Sequence, residues 1–333
     1  MTPRSRLATV AALVLVAAAC APGGATSPPA TGSSGSPVAG SCPVTPAPAG
    51  TPDGWDVTAQ HPSVFPQIIN PVGSIACGET RLMFSFLDAQ NVPVAKPEQS
   101  VEVALFDLGA DPATPVVTGL ATFIWAIEPT VGVYVFDADF PTAGTWGAQL
   151  TLTVGDSPPE RIRVLFDVQP ASNVIGVGDP APAAETPTLA DVGGDVTKIS
   201  TDDHPIEAFY ETSVTDALAA KKPFVLVFAT PKFCTSQQCG PTLDHFKPIA
   251  AANPAVTFIN VEPYQLKVVD GALQPILDPN NQLQATDITN QWGLLSEPWI
   301  FAVDRSGIVR GSYEVTITPA ELSAILPVIS AGG

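Results

Sequence analysis

Two cysteines at the junction of an apolar run and a helix-like run constrain this chain more than any other feature. Residues 223–229 form a continuous apolar, strand-like stretch, residues 242–252 follow a helical pattern, and Cys234 and Cys239 lie in the turn between them. A thiolate at a helix N-terminus is stabilised by free backbone N–H groups and by the helix dipole. Cysteines so placed suit a reversible disulfide, so Cys234 and Cys239 are the candidate catalytic pair. Their spacing is C-x4-C, two residues longer than the C-x-x-C of common redox motifs.

The N-terminus bears on the compartment. Arg4 and Arg6 precede an apolar stretch at 7–19, which is too short to span a bilayer as a mature helix. The stretch ends in Val16, Ala17, Ala18 and Ala19, directly before Cys20. This run resembles the lipobox of bacterial lipoproteins. The resemblance implies a signal peptide at 1–19 and a mature chain that begins at a lipidated Cys20. The expected location is extracytoplasmic, anchored to the bacterial cell membrane by lipid.

Charge excludes several classes of partner. The chain has 14 basic and 32 acidic residues. Loss of the leader takes Arg4 and Arg6 and no acid, which leaves 12 basic against 32 acidic residues, a balance of −20. Nucleic acid is excluded, because phosphate binding needs Lys and Arg gathered on one face. Docking on anionic lipid through side chains is excluded for the same reason, so membrane contact rests on the acyl chains.

Once Cys20 is assigned to lipid, Cys42, Cys77, Cys234 and Cys239 remain, an even number that suits an oxidising compartment. Sequence alone allows three pairings. Proximity and the intervening turn favour Cys234 with Cys239, which leaves Cys42 with Cys77 as a structural disulfide.

Composition shifts along the chain suggest five segments: the signal peptide at 1–19, a flexible tether at 20–50, a β domain at 51–170, a linker at 171–205 and a second domain at 206–330. The tether and linker are rich in Pro, Ala and Gly. Short strands are predicted at 81–87, 101–106, 132–136, 146–154 and 161–166, separated by turn residues. Their spacing favours an immunoglobulin-like sandwich. His61 and Met83 are too few to make a copper site there, and no metal or cofactor is expected.

From 206 the predicted order is α-β-α-β-α-β-β-α, with an inserted loop at 263–285 and Pro298 just before a hairpin centred on Asp304 and Gly307. This order, with Cys234 and Cys239 after the first central strand, resembles the thioredoxin fold. The resemblance covers about 206–330. It implies that Cys234 attacks, that Cys239 resolves, and that Pro298 is the cis-proline shaping the substrate site. Three features depart from the family pattern: the longer cysteine spacing, Phe233 in place of Trp, and no acid within 224–228. Glu297 is the nearest substitute for that acid, and Lys232 could support a thiolate by charge. His204 and His245 are poorly spaced for copper delivery.

The expected class is therefore multidomain, an all-β immunoglobulin-like sandwich followed by an α/β thioredoxin-like domain. The expected function is extracytoplasmic thiol–disulfide exchange on protein thiols and disulfides. The alternative is a non-catalytic, lipid-anchored binding or scaffold protein with a structural Cys234–Cys239 disulfide.

Overall fold

Alternating burial builds the first half of the chain. A computed structural model describes residues 42–332. The signal peptide, Cys20 and the tether up to residue 41 lie outside the described residues. Strands β1 (Phe65–Ile68), β2 (Gly78–Leu87), β5 (Thr122–Ile127) and β6 (Val131–Phe140) form one antiparallel sheet in the order β1-β2-β6-β5. Strands β3 (Gln99–Asp107), β4 (Val117–Leu120), β7 (Gly144–Val154) and β8 (Glu160–Val168) form a second in the order β4-β3-β7-β8. Val101, Val103 and Leu105 of β3 point inward with Trp146, Ala148, Leu150 and Leu152 of β7, the period of two that a strand imposes. Leu82, Phe84, Tyr134 and Phe136 meet them from the facing sheet. Each large apolar side chain buried this way contributes roughly 1.5–3 kcal/mol. The polar atoms of the buried aromatics are satisfied: the Tyr134 hydroxyl bonds Lys96 O and Gln99, and the Trp146 indole donates to Thr142 O.

The Cys42–Cys77 disulfide ties the described N-terminus to the start of β2, with 6.3 Å between the Cα atoms. Its 35-residue separation contributes about 4 kcal/mol on the chain-entropy model. Thr45 N–H and Ala143 N–H bond Ala143 O and Pro43 O in the same region. Residues 42–45, expected within the tether at 20–50, are thus held on the sandwich.

In the second half, β9 (Phe224–Phe228) is flanked by β10 (Thr257–Val261) and β13 (Trp299–Val303), with β14 (Val309–Glu314) beyond β13. β10 runs parallel to β9, and the other pairs are antiparallel. Every residue of β9 and β13 is buried, so both strands are apolar without alternation. α2 (Cys239–Ala252) and α4 (Pro319–Ala331) supply Leu243, Phe246, Leu322 and Leu326 to one face of the sheet. α1 (Val214–Ala219) and α3 (Asp287–Gln291) lie with Trp292 on the other.

The expected fold class is corrected here. The protein is mostly β, with 35% strand against 18% helix arranged around four sheets, and an α/β thioredoxin-like domain does not describe it. The physical reason lies in the lengths of the elements. α1 and α3 are only 6 and 5 residues long, too short to persist as helices without tertiary support. The expected loop at 263–285 holds a further two-stranded sheet, β11 (Leu266–Val269) with β12 (Ala272–Pro275).

The segment at 171–205, expected as a linker, packs as a strap. Its backbone N–H groups at Ile175, Gly178 and Ala181 bond the carbonyls of Trp292, Val309 and Gly307. Val174 and Ala184 are buried in the core beside α1 and α3.

A seam joins the β2-β6-β5 surface to the β14–α4 connection. The Arg81 guanidinium pairs with Glu321 at 2.9 Å and donates to Thr316 O at 3.0 Å. Asn70 and Ser74 donate to the buried carboxylate of Glu314 at 3.1 and 3.3 Å. Val315, between these contacts, has a φ of 62° and packs against the cluster around Met83, Ile124 and Val135. A β-branched residue rarely adopts that backbone conformation. Here its N–H bonds Pro298 O at 2.9 Å.

Candidate functional site

The end of β9 and the start of α2 position the cysteine pair. Cys234 and Cys239 are disulfide-bonded, with 6.1 Å between their Cα atoms. Cys239 is the first residue of α2 and is fully buried, whereas Cys234 is partly exposed. The Cys239 N–H donates to Cys234 Sγ at 3.2 Å, and Ser236 Oγ lies 3.3 Å from the same sulfur. Gln237 turns the chain with a φ of 63°.

The two residues that lengthen this motif have a clear structural use. Thr235 donates from its backbone N–H and its hydroxyl to Glu297 Oε1, at 2.8 and 2.7 Å. Ser236 Oγ donates to the Glu297 backbone carbonyl at 2.8 Å. The second carboxylate oxygen, Glu297 Oε2, accepts from the Tyr264 hydroxyl. Glu297 is 2% exposed, so its charge is held among these donors and away from water. Burial and the neighbouring Glu297 charge push the Tyr264 phenol well above its ordinary pKa. The Glu297–Pro298 peptide is cis, and Pro298 is buried at the entry to β13. Glu297 thus brings the Pro298 loop onto the disulfide turn. Lys232 is directed elsewhere: it is half exposed, with Asp203 3.9 Å from its ammonium.

A second polar group lies at the C-terminal end of β10 and was not identified from sequence. Asn260 is 3% exposed; its Nδ2 donates to Tyr210 Oη at 2.8 Å, and Tyr210 donates to Ser200 Oγ at 2.7 Å. Glu262 Oε1 accepts from the Thr201 N–H at 2.6 Å. Burial dominates here, pushing the Glu262 carboxyl up to about 7 and the Tyr210 phenol up to about 12. Asn260 Oδ1 is buried without a hydrogen-bond partner, and the Thr201 and Thr230 hydroxyls beside Glu262 partly offset its burial. The sequence signal was available: Asn260 interrupts the buried apolar run Phe258, Ile259 and Val261 of β10.

Among the described residues, no three His, Cys, Asp or Glu side chains converge as metal ligands, and His61, His204 and His245 are exposed. No described helix is long and apolar enough to cross a membrane. The two disulfides indicate an oxidising, extracytoplasmic location.

No protein family model matches the chain, and no curated protein matches it. Among solved structures, the chain is similar to the one titled "Crystal structure of the Lin-41 filamin domain". The identity is 12% over 32% of this chain and 93% of that chain, with a TM-score of 0.19. No functional residue is carried over at that level of likeness.

Proposed function

We propose that the protein is a non-catalytic binding or scaffold protein, held outside the cytoplasm by lipid on Cys20, in which Cys234–Cys239 is a structural disulfide. The observation that carries this reading is the set of bonds around the disulfide turn. Four donors, the Thr235 N–H, the Thr235 and Ser236 hydroxyls and the Tyr264 hydroxyl, converge on Glu297 while Cys239 is wholly buried. Disulfide exchange needs an accessible sulfur, which Cys234 supplies, and also a turn free to move as the bond opens. The bonds to Glu297 oppose that movement. The Arg81–Glu321 and Asn70–Glu314 contacts also fix the sandwich against the second half, which suits a body that presents surfaces to a protein partner.

A thiol–disulfide oxidoreductase is the second reading, favoured by one observation: Cys234 is the more exposed sulfur and receives the Cys239 N–H at the start of α2. In that chemistry the Cys234 thiolate attacks a substrate disulfide and expels one substrate thiolate. Cys239 then attacks Cys234 and releases the other, so the substrate is reduced and the pair oxidised. The full-length Cys239→Ser variant separates the two readings. The scaffold reading expects no mixed disulfide with other exported proteins on non-reducing gels. A ladder of adducts that disappears when Cys234 is also replaced supports exchange. Mass spectrometry of the mature N-terminus tests the anchor, with a diacylated or triacylated Cys20 as the expected species.

A further inference from the structure

We propose that Glu314 is a proton-operated latch between the sandwich and the second half of the chain, shut when its carboxyl is protonated and loosened when it ionises. Glu314 is the last residue of β14 and is 6% exposed. Its Oε2 has Asn70 Nδ2 at 3.1 Å and Ser74 Oγ at 3.3 Å, both from the loop between β1 and β2 of the sandwich. Its Oε1 has Ser296 Oγ at 3.4 Å, from its own half. A buried acid thus spans the seam, and the groups that meet it across the seam carry no charge.

Hydrogen counting favours the protonated acid in the closed seam. The Ser74 hydroxyl has one hydrogen and two acceptors in reach, Glu314 Oε2 and, at 3.0 Å, Pro71 O. A protonated Glu314 donates to Ser74 Oγ, which then donates to Pro71 O, so one chain serves all three groups. An ionised Glu314 draws that hydrogen from Pro71 O and keeps a full charge away from water. Arg81 relieves the charge weakly, because its guanidinium is committed to Glu321 and to Thr316 O. Burial outweighs Arg81 and the donors of Asn70, Ser74 and Ser296, and it brings the carboxyl up to about 7. The remaining neighbours are Glu79 of β2, exposed at the cleft mouth, Trp299 of β13, Ser312 of β14, and Ser172, Val174 and Ile175 of the strap, which do not titrate. Cys77 is held in its disulfide, and the adjacent Tyr313 phenol is pushed upward by its own burial.

The backbone beside Glu314 supplies a drive for loosening. Val315 holds a φ of 62°, a conformation that stores strain in a β-branched residue, and it packs on the cluster at Met83, Ile124 and Val135. Withdrawal of the end of β14 from the 70–74 loop hydrates the carboxylate, relaxes Val315 and uncovers that apolar cluster. A cleft of about 410 Å³ already borders Glu314, with Asn70, Ser74, Trp299 and Ser312 around it, so water enters there and takes up the released proton. The closed seam binds the proton more tightly than the open one, so closure is favoured at low pH and lost as pH rises through about 7.

The inference goes beyond the scaffold reading and does not depend on the state of Cys234–Cys239. The test is hydrogen–deuterium exchange of the whole chain from about pH 5 to about pH 9, corrected for the intrinsic rate at each pH. Peptides covering 68–83 and 311–322 should lose about tenfold in protection between about pH 6 and pH 8, relative to peptides from β3 and β7. Glu314→Gln, which keeps the shape and cannot ionise, should remove that relative loss. Asn70→Asp is an independent check that keeps Glu314 in place. It sets a second carboxyl beside the first, the two share one proton, and the midpoint of the loss should rise by at least about one pH unit. No relative loss in the parent, a loss that persists in Glu314→Gln, or an unmoved midpoint in Asn70→Asp would overturn the proposal.

Discussion

Glu297 Oε1 accepts both the backbone N–H and the hydroxyl of Thr235, at 2.8 and 2.7 Å, across 62 residues of sequence. This contact links the disulfide turn to the loop that enters β13. It makes one buried carboxylate the organiser of the region, and the cysteines are held in place by it.

Replacing Glu297 with Ala should therefore loosen the turn. Hydrogen bonds to a charged acceptor contribute about 1.5–3 kcal/mol each, and the Tyr264 hydroxyl is left buried without its acceptor. A loss of roughly 3 kcal/mol in urea unfolding is expected. Glu297→Gln should lose less, since the amide oxygen can still accept from Thr235. Equal stability of Glu297→Ala and the parent would show that the contact holds nothing.

The seam should behave as an interaction between Arg81 and Glu321. Arg81→Met also strands Thr316 O, so the single variant overstates the pair. A double-mutant cycle with Glu321→Gln isolates the pairwise part, expected between about 0.5 and 3 kcal/mol. Additive losses would mean that the two side chains do not couple.

Two buried carboxyls set the expected pH dependence. Burial pushes Glu262 and Glu314 up to about 7 in the folded chain, against an ordinary value of 4.5. A folded-state pKa above the unfolded value means that the folded state binds more protons between those limits. Their contribution to stability is fully present below about pH 4.5 and falls as pH rises towards 7 and beyond. Each group accounts for at most about 3 kcal/mol of that fall. Chemical unfolding at pH 5 and pH 8 should show the loss, and Glu314→Gln should reduce it. A parent chain more stable at pH 8 than at pH 5, with the variant unchanged, would contradict this assignment.

The parts of the fold legible in the sequence were those with strict periodicity. Val101, Val103 and Leu105, or Trp146, Ala148 and Leu150, alternate inward without interruption, and the strands predicted around them lie within β3 and β7. The edges were not legible. β1 carries Pro66, and β4 is four mostly exposed residues, so neither shows a pattern. The strap at 171–205 is poor in large apolar side chains and attaches largely through backbone hydrogen bonds, which composition does not report. The overall class differs from the expected one because the helices near 214–220 and 286–294 span only 6 and 5 residues, and because the β11–β12 hairpin stands where a loop was expected. At the candidate site, Cys234 and Cys239 were marked by their place between a strand-like and a helix-like run, and Pro298 by the resemblance to the thioredoxin fold. Thr235 and Ser236 looked like mere insertions, because their partner Glu297 is 61 and 62 residues away.

The reduction potential of the Cys234–Cys239 pair is the most direct measurement of whether it is structural. Whole protein equilibrated in dithiothreitol and glutathione buffers, then alkylated and mapped by mass spectrometry, gives the oxidised fraction of the peptide spanning both residues. A potential below about −300 mV, in the range of structural disulfides, is expected. A pair that titrates between about −270 and −120 mV, where exchanging disulfides lie, would contradict the scaffold reading and establish Cys234 as a working thiol.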